Sequence, residues 1–259
     1  MSKMSKITRA LKKCLPIFSV FVLSLFATYS LISSLDVPPQ NKIQLNNYTD
    51  FYPTTYKKAI KKSRESAVKV ISFSPDSVMM SSASGTYFVA FGNYFVVTVA
   101  HGILSPCEFT KLVHEEEIYE CVKYVALDLA NDYAIIQTTK IEDRTPIRIP
   151  NDLPKNKQWI ESYSIMNKLI YTGFPNTIGP LTITGNVAGF GGSEYLYIIS
   201  YAWQGSSGSG VFDKNGKYIG YVVAIDVGQT EFGIQVLENL VLVAPAFKVD
   251  WSKTITEAH

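Results

Sequence analysis

Between residues 67 and 236 the chain reads as short apolar or alternating segments, and no long helical period interrupts them. The segments fall near 67–73, 85–91, 94–99, 108–113, 118–126 and 133–139, then near 158–164, 168–173, 180–189, 195–200, 209–213, 217–225 and 231–236. Such runs, with turn residues between them, mark strands. Gly92-Asn93 and Asn215-Gly216 are hairpin turns. The 16 Tyr and 14 Phe favour strands over helices. A parallel α/β sheet is disfavoured, because it needs a helical crossover for each strand. The stretch 144–158, rich in Pro, Asn, Asp and Lys, reads as a connection between two halves. The expectation is all-β: two antiparallel barrels or sandwiches, near 62–143 and 158–245, with a short amphipathic helix over 56–66 before them. At 47% hydrophobic and 18% charged residues, the chain of 259 can fill such cores and is not a disordered sequence.

The N-terminus follows other rules. Residues 1–13 hold Lys3, Lys6, Arg9, Lys12 and Lys13 and no acid. Residues 14–35 carry no charge, and a helix that crosses a bilayer needs about 20 such positions. This length favours a transmembrane signal-anchor. A cleaved signal peptide, with a shorter apolar run and a small-residue cleavage site, is the alternative. The basic head places the N-terminus in the cytoplasm and the rest outside. Residues 36–55, with Pro38-Pro39 and Asn46-Asn47, form a linker to a domain over 56–259. Of the 24 basic residues, the 19 beyond the head face 22 acids, a net of −3. Binding to nucleic acid through phosphate neutralisation is therefore not expected.

Three stretches carry chemistry. In Phe95-Val96-Val97-Thr98-Val99-Ala100-His101 a histidine ends an apolar strand. In Asn131-Asp132-Tyr133-Ala134-Ile135-Ile136 an aspartate opens one. Gln204-Gly205-Ser206-Ser207-Gly208-Ser209-Gly210 packs glycines around a serine between apolar strands, which suits a tight turn better than a linker. Singly, each has an ordinary structural reading. Jointly they supply a nucleophile, a base and an acceptor that orients the base. Backbone N–H groups of the turn at Gly205 to Ser207 would stabilise an oxyanion. The order His, Asp, Ser excludes an α/β-hydrolase arrangement, which needs a His after the Ser; only His259 follows Ser207.

These residues resemble the trypsin-like serine peptidases. Thr98-Val99-Ala100-His101 is similar to their Thr-Ala-Ala-His signature. Asn131 to Ile136 is similar to their Asp-x-Ala strand, and Gly205 to Gly210 to their Gly-Asp-Ser-Gly-Gly-Pro loop. The likeness spans about 62–240 and is nearer to bacterial and viral members, the Deg-type proteases included, than to digestive ones. It implies two six-stranded antiparallel barrels of the chymotrypsin type. It also implies a polypeptide substrate, no cofactor, His101 as base, Asp132 as its orienter and Ser207 as nucleophile. Gly205 and Ser207 would supply the oxyanion hole. Ser206 stands where digestive enzymes carry the Asp that pairs with a newly released N-terminal amine, so no zymogen switch of that kind is expected. Tyr201 stands at the place of the acid that selects Arg and Lys, so a small or apolar side chain is expected beside the cleaved bond.

The three Cys, at 14, 107 and 121, form no Cys-x-x-Cys pair, and no metal site is expected. Cys107 and Cys121 flank His114-Glu115-Glu116-Glu117. A hairpin centred on His114 would bring them together as a disulfide in an external compartment, with His114 at an exposed tip; two free thiols are the alternative. Two other readings compete with an active peptidase. One is an inactive pseudo-protease of the same fold that binds a partner. The other is a surface β-domain in which Ser207 and His101 lie apart.

Overall fold

The computed structural model describes residues 54–254, apart from 77, 150–152, 154–156, 192–193 and 231–232. The basic head, the apolar run 14–35 and nearly all of the linker lie outside the described residues. So does His259. Among the described residues no helix is long and apolar enough to cross a membrane.

Six strands form the first barrel: β1 (Ala67–Phe73), β2 (Met80–Ala90), β3 (Asn93–Thr98), β4 (Thr110–His114), β5 (Glu117–Asp128) and β6 (Tyr133–Thr138). Their order is β1-β4-β5-β6-β3-β2, and pairing of β1 with β2 closes the ring. A two-residue strand, β7 (Ile147–Arg148), lies parallel to β2. The second barrel holds β8 (Lys168–Gly173), β9 (Leu181–Phe190), β10 (Leu196–Ile199), β11 (Gly210–Asp213), β12 (Tyr218–Thr230) and β13 (Gly233–Pro245). It closes as β10-β13-β12-β11-β8-β9. Counted from its own first strand, each barrel has the same ring order, so one topology is used twice without a repeat visible in the sequence.

The side-chain period explains how the barrels join. On β8, Leu169 and Tyr171 enter the core of the second barrel, whereas Ile170 between them packs with Val68, Val70 and Phe88 of the first. On β11, Val211 and Phe212 divide in the same way. These strands are buried on both faces, which is why they read as continuous apolar runs rather than as alternation. Helix α1 (Thr54–Ser66) fastens the pair. It buries Ala59, Ile60 and Ser63 on one face. The Ser63 hydroxyl donates to Thr172 Oγ1 at 2.7 Å, and Arg64 Nη1 donates to Thr182 Oγ1 at 2.9 Å.

Three expectations need correction. The segment expected as a strand over 158–164 contains helix α2 (Lys157–Ser162). Trp159 and Tyr163, four residues apart, lie edge to face at 4.7 Å, the spacing of neighbours on a helical surface. The connection 144–158 is not wholly irregular, because it contributes β7. His114 is buried at 8% exposure rather than standing at a solvated tip. In β4 the inward residues are Thr110, Leu112 and His114, so the strand's phase carries the imidazole into the interior.

Burial holds the His114 pKa below 6.5, and the nearby Arg144 charge lowers it further, while Glu115 and Asp143 oppose this. The unfolded chain binds this proton more readily than the folded one, so stability should fall as pH drops below about 6.5. Thermal unfolding of His114→Leu between pH 7 and 5 should show a smaller loss of Tm than the parent. An equal loss would mean that other groups set the acid sensitivity.

Cys107 and Cys121 are bonded, with Cα atoms 5.4 Å apart and a sequence separation of 14. Cys107 sits in a 3₁₀ turn just before β4, and Cys121 in β5. Closing a loop of this length stabilises a fold by about 3 kcal/mol on the chain-entropy account. Denaturant unfolding of the Cys107→Ser/Cys121→Ser double variant should show a loss of that order.

Candidate active site

β3 and β6 are antiparallel neighbours, with Thr98 opposite Ala134. The chain therefore leaves β3 towards His101 at the same edge where it enters β6 from Asp132. A single 3₁₀ turn, Ala100–Gly102, presents His101. Asp132 takes a left-handed backbone, φ 52°, which Asp tolerates better than bulky residues. Its carboxylate grips the histidine twice: Oδ1 accepts from the His101 backbone N–H at 2.9 Å, and Oδ2 meets Nδ1 at 2.8 Å. This contact makes Nδ1 the donor and leaves Nε2 as the nitrogen able to take a proton. The His101 side chain is 52% exposed and that of Asp132 only 19%.

The turn that carries Asp132 is itself braced. Asp128 Oδ1 accepts the backbone N–H groups of Ala130 and Asn131, and Oδ2 accepts Asn131 Nδ2. The hydrogen bonds from Asn131 hold the Asp128 carboxyl below the usual carboxylate range. From the second barrel, the buried Tyr221 hydroxyl donates to the Asn131 carbonyl at 2.8 Å. Burial pushes the Tyr221 phenol up, which keeps it a donor. Tyr221 carries no sign of this role in the sequence, because its partner is a main-chain atom 90 residues away.

Ser207 lies half-buried in the loop between β10 and β11. Gly205 and Gly208 flank it with φ of +93° and +87°. A Cβ on Gly205 would meet the Phe174 carbonyl at 2.6 Å, and one on Gly208 would meet the Ser84 carbonyl at 1.9 Å. Both positions therefore exclude a side chain through conformation and through space. Ser206 is buried, and its hydroxyl accepts from the Trp203 N–H at 3.1 Å. A local turn thus satisfies this residue, where digestive enzymes use an aspartate and a released amine.

Ser84 of β2 ties this loop to the histidine strand. Its N–H donates to the Ser207 carbonyl at 2.8 Å, and its carbonyl accepts the Thr98 hydroxyl at 2.7 Å. Two hydrogen bonds thus link the main chain of Ser207 to a residue three positions from His101. Ser84 was not singled out in the sequence, where it is one serine in a Ser/Ala run.

Tyr201 and Trp203 lead into the loop, 57% and 43% exposed, with rings stacked at 6.1 Å. The Tyr201 ring is thus an open surface and not a buried floor. Among the described residues no cluster of three or more His, Cys, Asp or Glu is placed to hold a metal ion.

No protein-family model matches this chain, and no curated protein matches it. Solved structures do. A serine endoprotease from Yersinia pestis superposes with a TM-score of 0.56 at 19% identity, over 80% of this chain and 67% of that one. The active form of the Rv3671c protease from M. tuberculosis superposes with a TM-score of 0.56 at 17% identity, over 76% of this chain and 84% of that one. With two rings of the same order packed through β8 and β11, the chain has the double-barrel fold of the trypsin-like serine peptidases.

Proposed function

We propose that the chain is a serine endopeptidase, anchored in a membrane by residues 14–35 with its barrels on the extracytoplasmic side. The observation that carries the reading is the double contact between Asp132 and His101, which fixes the tautomer a general base needs. Ser207 Oγ attacks the carbonyl carbon of the scissile peptide as its proton passes to His101 Nε2. Negative charge develops on the carbonyl oxygen, facing the N–H groups of Gly205 and Ser207. Collapse expels the amine, which takes the proton from His101. Water then attacks the acyl ester, again giving its proton to His101; the acid departs and Ser207 regains its hydrogen.

The stacked Tyr201 and Trp203 rings offer an apolar wall beside the nucleophile loop and no acid for Arg or Lys. Cleavage after uncharged, small or apolar residues follows. The test is digestion of a denatured protein by the full-length chain in membranes, with the fragment ends sequenced. Fragments that vanish in Ser207→Ala and end in uncharged residues support the reading. Cleavage after Arg or Lys would overturn the specificity, and fragments that persist in the variant would overturn the nucleophile. Alkaline carbonate should leave the chain in the membrane pellet; release of a shortened chain would mean that the apolar run is a cleaved signal.

A further inference from the structure

We propose that Ser84 and Ser209, two buried serines from different barrels, are positioning residues that aim the oxyanion donors. This rests on the peptidase reading above. In a trans peptide the C=O and N–H point to opposite sides, so fixing a carbonyl fixes the N–H of the next residue. Four consecutive carbonyls of the nucleophile loop are held. The Gln204 carbonyl accepts from the Asn176 N–H at 2.6 Å. The Gly205 carbonyl accepts the Ser84 hydroxyl at 2.7 Å. The Ser206 carbonyl accepts the Ser209 hydroxyl at 2.6 Å and the Ser209 N–H at 3.1 Å. The Ser207 carbonyl accepts the Ser84 N–H at 2.8 Å.

The donors of the same loop alternate. The Ser206 N–H goes to the Trp203 carbonyl and the Gly208 N–H to the Val222 carbonyl. Among the described residues the N–H groups of Gly205 and Ser207 have no partner. They are the two left over to receive an oxyanion, and their directions are set by the carbonyls of Gln204 and Ser206.

Ser209 acts on the second of these directly, through the Ser206 carbonyl. Ser84 acts on the first indirectly, since by the same rule the Gly205 carbonyl fixes the Ser206 N–H and the Gln204 carbonyl fixes that of Gly205. The Ser84 hydroxyl holds the Gly205 carbonyl, and it also accepts the Phe174 N–H at 2.9 Å, fixing the segment that supplies the Asn176 N–H. Both serines are fully buried, at 0% exposure. They crowd Gly173, where a Cβ would lie 2.1 Å from Ser209 Oγ and 2.8 Å from Ser84 Oγ. The resembled loop has glycine at the place of Ser209, so this hydroxyl is a feature of the present chain.

The experiment measures kcat and KM of the full-length chain for p-nitrophenyl acetate, together with its rate of inactivation by a fluorophosphonate. The variants are Ser84→Ala, Ser209→Ala and Ser63→Ala. Ser63 loses a comparable buried hydroxyl contact, on α1, and reports the purely structural effect. Removing an oxyanion donor outright costs about 10²–10³-fold in kcat; a donor left present but loosely aimed should cost about 10-fold. Each site variant is expected to lose about 10-fold in kcat and in inactivation rate, with KM unchanged and Tm no lower than in Ser63→Ala. Should Ser84→Ala fail to fold, Ser209→Gly, which restores the glycine of the resembled loop, carries the test. Losses in kcat no larger than those of Ser63→Ala, or a rise in KM with kcat intact, would overturn the proposal. A folded parent that the fluorophosphonate does not inactivate would overturn the peptidase reading itself, a distinguishable result.

Discussion

Replacing Ser207 with Ala is expected to lower kcat by on the order of 10⁶-fold, and His101→Ala by about as much. A serine hydroxyl is a poor nucleophile at neutral pH unless a base removes its proton during attack. Without His101 the hydroxyl of Ser207 stays protonated; without Ser207 the imidazole has nothing to activate but water. Each change disables the same step, so the double variant should lose little more than either single one. Losses that multiply would mean that the two residues act in separate events. Residual activity should exceed that of free solution, because substrate binding and the backbone donors remain. Steady-state turnover of one peptide by the parent and the three variants decides this.

Asp132→Asn should cost about 10⁴-fold in kcat while leaving the fold intact. The geometry gives the reason. Asp132 Oδ1 accepts the His101 backbone N–H, and a carboxamide oxygen can keep that bond. The amide NH₂ is then forced opposite Nδ1, where Oδ2 stands now. Two donors cannot face each other, so the imidazole moves its proton to Nε2, the nitrogen that must be bare to act as a base. KM should change little, since Asp132 is largely covered and does not face substrate. A loss below about 10-fold would mean that Asp132 holds only the turn.

Most of the barrel strands were legible because one buried face leaves alternation in the sequence, and because Gly92-Asn93 and Asn215-Gly216 punctuate it. The outcome was poorer where a segment obeys another period or none. Trp159 and Tyr163 read as strand because their helical spacing is only one turn long. Strand β7 is too short for any pattern. β12 and β13 extend well beyond 217–225 and 231–236, since register shifts within their pairing interrupt strict alternation. His114 was misplaced by assuming a symmetric hairpin tip, when the inward phase of Thr110 and Leu112 already sends it inside.

At the site, residue type and order single out His101 and Asp132 as candidates, and the two lie in hydrogen-bond contact. For Cys107 and Cys121 the sequence left a disulfide and two free thiols open, and they are bonded. The supporting residues were not found. Ser84, Ser209, Asp128, Asn176 and Tyr221 all act on main-chain atoms, Ser84 and Tyr221 across 90 or more positions, and such long-range bonds leave no mark on the residue type of the main-chain partner.

Labelling of Ser207 tests the central claim most directly. The full-length chain and its Ser207→Ala variant would be treated with a fluorescent fluorophosphonate, and the modified peptide located by mass spectrometry. The account predicts one adduct, on Ser207, that is absent from the variant and suppressed by His101→Ala. A folded parent without an adduct, or a label that survives in Ser207→Ala, would contradict it.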